Sequence, residues 1–222
     1  MPEQDAPTIA IGKRQQGVEE RRRRLVRAAS ELIAERDDGS FSMPELAKRA
    51  GVSLATPYNL FGSKAAVLAQ VFERLVRGFH RDPAWMDGLS PSARIFGVID
   101  RLIAAYDRQG QLFRNLWKAL YGLDFGEQGR INRTLSNEIV HPLVASLVRD
   151  GLLPAAVPPE VVESTLVRIF DANFQHWAAQ NWPPALLGDA LRRSFALVFL
   201  GLVDPAERAV LLAAIAELQG RA

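Results

Sequence analysis

The stretch SMPELAKRAGVSLATPYNLFGSK, residues 42–64, leaves few folds open. Ser42 and Glu45 stand three apart, the spacing of a capping box, and Pro44 falls in a first helical turn where no N–H is needed. Gly51 closes that helix after barely two turns, because glycine takes the left-handed conformation at no steric cost. Ser53 or Thr56 then caps a second short helix, residues 62–64 end it, and Ser63 caps a further helix running to about His80. Two helices joined by a tight glycine-containing turn form a helix-turn-helix. Ala47, Val52 and Leu60 or Phe61 are placed to fill the small core between them.

The rest of the chain continues in helices. Leu25, Val26, Ala29, Leu32 and Ile33 recur at helical spacing between Val18 and Glu35, and the run Asp37–Gly39 supplies a stop. After residue 81 the apolar stripe Ile95, Ile99, Leu102, Ile103, Tyr106 marks a helix opened by Ser90-Pro91. A shorter segment, GQLFRNLWKALYGL, follows it. Arg130 to Arg149 reads as a helix interrupted at His141-Pro142, and two proline-started helices and one capped at Asp204 complete the chain. No strand alternation or hairpin signal occurs. The expected fold is all-α, with a tail over 1–15, a three- or four-helix helix-turn-helix domain over 16–81, and a larger helical bundle over 82–222.

Charge is unevenly spread. The net charge is +2, yet residues 1–81 hold 14 Lys and Arg against 10 Asp and Glu, with the run Arg21–Arg24 as the densest point. A basic end on a mildly acidic body suits a polyanion on one side, as well as a simple solvated face. The chain has no cysteine, so disulfides and thiolate chemistry are excluded. No apolar run reaches the length of a membrane span and no signal-peptide core is present, so the expected location is the cytoplasm.

A short helix end fits the ~12 Å major groove of DNA. The residues here go further. Ser42, Leu46, Ala47, Ala50, Gly51, Val52, Ser53, Thr56, Tyr58, Phe61 and Lys64 all fall in register with the tetracycline-repressor (TetR) family of bacterial regulators, which the segment from about Arg22 to Leu75 resembles. The resemblance implies that Thr56 and Tyr58 contact DNA from the recognition helix and that Lys64 clamps a phosphate. It places Arg21–Arg24 towards the backbone. Ser42, Ser53 and Ser63 lie at helix starts, where N–H groups suit phosphate. Leu54, Ala55 and Asn59 are the candidates for base readout, the first two against thymine methyls and Asn59 on adenine. Pro57 departs from the family pattern. It suits a helix that starts late, near Thr56, and it keeps open a non-DNA-binding alternative.

Beyond residue 81 the resemblance is weak and implies a ligand-binding, dimer-forming domain. Phe113, Trp117, Tyr121, Phe125, Phe170, Asn173, Phe174 and Trp177, with Asp171, His176 and the broken helix at His141, suit either a ligand cavity or a packed core. Leu191, Phe195, Val198, Phe199 and Leu202 form one stripe, read as a subunit interface, since a single recognition helix reads too few base pairs alone. No enzyme inventory emerges: His80, His141 and His176 lack metal-ligand spacing, and no phosphate loop or nucleophile elbow occurs. No cofactor or metal is expected. The reading is a homodimeric regulator, most often a repressor in this family, of operator DNA answering to an apolar or aromatic effector. The alternative is a ligand-binding or scaffolding dimer without specific DNA binding.

Overall fold

The computed structural model describes residues 13–77, 83–121, 123 and 125–219, and they are helical with no strand among them. The tail expected over 1–15 and the boundary expected at 81/82 fall mostly outside these residues, as does His80. Helix α1 spans Lys13–Glu35, α2 Met43–Ala50, α3 Ala55–Phe61 and α4 Lys64–Val76. A 3-10 turn at Pro83–Met86 leads to α5 (Pro91–Tyr121) and α6 (Phe125–Leu135). Then come α7 (His141–Arg149), α8 (Pro159–Gln180), α9 (Pro184–Phe199) and α10 (Pro205–Gln219).

The caps read from sequence are built. Ser42 accepts from the Glu45 N–H while Glu45 accepts from the Ser42 N–H, and Gly51 sits at φ 62°, ψ 45°. Ser63 accepts from the Ala66 N–H at 3.0 Å, and Asp204 Oδ1 from the N–H groups of Ala206 and Glu207. Two expected helices between Pro91 and Tyr121 are one, bent at Gln109 (φ −141°, ψ 35°). The expected break at His141-Pro142 takes the form of a π turn over Ser136–Val140, in which the His141 N–H reaches back five residues to the Ser136 carbonyl. Pro142 has no N–H to offer the carbonyl four behind it, and it lands instead in the first turn of α7, where none is required.

Helices α5, α8 and α9 enclose the main core, and α4 carries that core into the helix-turn-helix. Ala66, Val67, Leu68, Ala69, Val71, Phe72 and Val76 of α4 are buried, facing α1 on one side and α5 and α6 on the other. Phe72 meets Trp117 edge-on at 5.5 Å. The seam is closed by polar contacts too: Asn115 is fully buried and its Nδ2 donates to the Ile33 carbonyl at 3.0 Å, and Lys118 Nζ donates to the Asp37 carbonyl. At the far end of α5, the buried Arg94 guanidinium donates to the carbonyls of Leu89 and Ser146 and to Asp150, pinning α7.

Gly39 shows how close the seam is. Its φ is +64°, and a Cβ there would lie 2.2 Å from the Asn115 carbonyl oxygen. Strain and overlap with backbone act together, and neither is relieved by a side-chain rotation. Gly39→Ala is expected to destabilise the protein by about 2–4 kcal/mol, read as a lowered urea midpoint with an unchanged slope.

Candidate functional site

The recognition helix is short and oddly dressed for a protein surface. In α3 only Pro57 is buried, while Leu54 just before it and Tyr58 within it are 65% and 52% exposed. Ala55 and Asn59 are exposed beside them, and Thr56 is half-buried. Ser53 and Thr56 were read as rival caps; their hydroxyls instead bond each other at 2.8 Å, and no side chain caps α3. The helix starts at Ala55, one residue before the expected start, so Pro57 occupies the first turn. Its missing N–H would have had no helical partner there. The feature that kept a degenerate helix-turn-helix open therefore costs the helix nothing.

Lys64 is the first residue of α4, half-buried, with Nζ 5.0 Å from the centre of the Phe41 ring. A cation at a helix N-terminus opposes the dipole, and the ring face offsets part of that cost. Exposed Ser63 sits immediately before it. Ser42 is exposed, but its N–H and hydroxyl are both engaged by Glu45 and are not free for a phosphate. Arg22 was expected to face outwards; it turns in, donating to the Leu60 carbonyl at 2.7 Å with its guanidinium over the Phe61 ring. That contact ties α1 to the end of α3, a role that the charge run alone did not signal.

Glu45 fixes the start of α2 from two sides. The Arg36 guanidinium, then the N–H and hydroxyl of Ser42, hold its carboxyl down to about 2, against an ordinary 4.5. A carboxylate depressed in the folded state stabilises above its unfolded pKa, and that contribution is lost as pH falls through the folded one.

The expected pocket residues divide. Phe113, Trp117, Phe170, Phe174 and Trp177 are buried in one cluster of stacked and edge-on rings with Tyr106, an unexpected member. Tyr106 lies 3.9 Å from Phe113 and 5.1 Å from Phe174, and Trp117 stacks on Phe174 at 4.9 Å. Trp117 Nε1 donates to the Tyr106 hydroxyl, whose pKa burial pushes up. Tyr121 does not join them: it is 69% exposed. His141 is also at the surface, bonded to Glu163 at 2.8 Å, and Asn173 spends its amide on the Ile169 carbonyl. His176 stands exposed, edge-on to Trp182. The side chain of Phe125 lies outside those described.

Several polar groups of α6 and α8 are partly buried. Half-buried Asp171 accepts from Gln128 at 2.7 Å and from Gln175 at 3.1 Å, and desolvation raises its pKa. Trp177 Nε1 and Asn132 Oδ1 are buried with no hydrogen-bond partner among the described residues. Unmatched buried groups of this kind are rare enough to ask for an explanation.

On α9 the expected stripe faces inwards. Leu191, Phe195 and Phe199 are core residues, at most 1% exposed, and Val198 and Leu202 pack against that core. Buried in their own protomer, the first three have no surface to offer a partner. On the far face of α9 Leu197 is 60% exposed, and on α10 Val210 and Leu212 are 48% and 52% exposed.

The chain thus joins a helix-turn-helix unit to a larger helical domain. Residues 25–71 match the family described as bacterial regulatory proteins, tetR family. Over that segment the chain carries the TetR-family DNA-binding unit, and as a whole it has the TetR-family fold. Among solved structures it is similar to Thermus thermophilus FadR, a TetR-family transcriptional repressor in complex with lauroyl-CoA. The two are 24% identical, with a TM-score of 0.67 over 82% of this chain and 95% of that one. A TetR transcriptional regulator from Rhodococcus sp. RHA1 matches at 20% identity and TM-score 0.65, over 82% and 96%. FadR from Bacillus subtilis, in complex with stearoyl-CoA, matches at 18% and 0.58, over 78% and 97%. No curated protein matches the sequence.

If Glu45 supports α2 as its surroundings imply, Glu45→Gln keeps the cap geometry and loses the charge. The variant is expected to have a lower urea midpoint than the parent at pH 6, and the gap should close as pH falls from about 4.5 towards 2.

Proposed function

We propose that the chain is a homodimeric, small-molecule-responsive repressor that binds operator DNA through α3. The carrying observation is the exposure of Leu54 and Tyr58, two large side chains that a free-standing helical domain would bury. Exposed at a helix-turn-helix, they suit contact with base edges and phosphates, with Asn59 as the amide for adenine. Lys64 and the Ser63 helix start supply phosphate contacts.

Dimerisation uses the outer face of α9 and α10. Helix α10 is apolar almost all round, with Ala209, Val210, Leu212, Ala213 and Ala216 exposed, and such a helix needs cover. A twofold pair brings two recognition helices to successive major grooves ~34–36 Å apart. The effector is an apolar or aromatic molecule bound among the rings of α5 and α8, where Trp177 Nε1, without a hydrogen-bond partner among the described residues, stands ready for a polar atom. Acyl-CoA, held by two of the structural neighbours, carries an apolar chain of that class. Binding acts by favouring a conformation in which the two α3 helices no longer fit the operator.

The test is fluorescence anisotropy with the DNA upstream of the gene; absence of sequence-specific binding at low salt overturns the reading. Lys64→Ala is expected to weaken binding to all sequences alike and to lower the salt slope by about 1. Asn59→Ala should instead cost about 1–3 kcal/mol at one base pair and relax specificity there. Leu197→Arg with Leu212→Arg is expected to leave the helical content intact and shift sedimentation from dimer to monomer.

A further inference from the structure

Between α1 and α4 lies a basic groove apart from the ring cluster, touching the recognition helix only through Arg22. It has a volume of about 460 Å³, and Arg22, Arg23, Arg27, Gln70, Arg74 and Arg77 line it. Arg23 and Arg27 stand four apart on α1, and Gln70, Arg74 and Arg77 stand four and three apart along α4 and its C-cap, so these side chains stack turn over turn, with Arg22 beside Arg23. Five guanidinium groups thus share one cavity with a single carboxylate, Glu19. Arg23 pairs with Glu19, Arg77 with Glu73, and Arg22 with the Leu60 carbonyl. Arg27 and Arg74 have no hydrogen-bond or ion-pair partner among the described residues.

We propose that this groove is a regulatory site for a small, soluble, phosphate-bearing polyanion, of the size of a nucleotide or a short polyphosphate. Guanidinium forks match phosphate oxygens in geometry as well as charge, and the volume suits a ligand of that size. Duplex backbone offers the same chemistry, but position favours the soluble source. Lys64, the phosphate contact proposed above, opens α4. Arg74 and Arg77 lie ten and thirteen residues further on, about 15–20 Å along the helix axis. An anion bridging Arg27 and Arg74 fastens α1 to α4, and α4 bears Lys64 and packs on α6. Binding there therefore biases the setting of the recognition unit, and DNA affinity changes with it.

The experiment uses the full chain and sodium tripolyphosphate as the probe, in titration calorimetry at constant ionic strength. One site per protomer is expected. Arg27→Gln with Arg74→Gln should weaken it at least tenfold with an unchanged melting curve, and Arg27→Gln alone about threefold. Lys64→Ala should leave it unchanged. The DNA arm measures the salt slope of the same double variant, which is expected to equal that of the parent. The proposal is overturned if tripolyphosphate binds no better than sulfate, or if the double variant binds it as the parent does. It is equally overturned if that variant loses about two units of DNA salt slope, which would assign the arginines to the duplex backbone. Anion binding is read without an operator, so its failure leaves the DNA-binding reading standing, and the reverse holds too.

Discussion

The contact of Phe72 with Trp117 is where the two parts of the molecule become one. Seven residues of α4 are buried, some against α1 and the rest against the larger domain, so α4 belongs to both cores at once. Close-packed interiors move between discrete arrangements and do not deform smoothly. A shift of the rings around Trp117 therefore reaches Lys64 through a single rigid helix. The Asn115 amide and the glycine facing it hold the same seam from the side of α1, with no slack for an intervening side chain.

Local chemistry was legible in the sequence. The Ser42–Glu45 box, the left-handed Gly51, the Ser63 and Asp204 caps and the all-helical fold each depend on residues within a few positions of one another, and each is found as read. Orientation was not legible in the same way. The stripe Leu191, Phe195, Phe199 is periodic in either setting, because periodicity marks an apolar face without saying what covers it. Only the folded chain shows that α5 and α8 do. Likewise Phe113 and Trp117 are drawn to Tyr106, which the sequence offered merely as the end of a stripe.

Proline illustrates the same division. Both Pro57 and Pro142 announce that a helix is disturbed, and both fall in first turns, where the missing N–H does no harm. What the sequence withheld was the register that puts them there. For Pro57 it is a start at Ala55 with no side-chain cap, and for Pro142 a preceding π turn. The arginine run followed suit: its charge was visible, but Arg22 turning towards Leu60 depends on where α3 ends.

The π turn over residues 136–140 has one more consequence. Such a turn holds one residue more than an α-helical turn, and its wider closure absorbs that residue, so α6 and α7 stay in phase across it. Removing a single residue would let the turn close as ordinary α-helix, with Leu143, Val144 and Leu147 still facing the interior they now fill. A one-residue deletion is therefore absorbed more readily here than in the unbroken α-helix on either side, where it would turn every later side chain by about 100°.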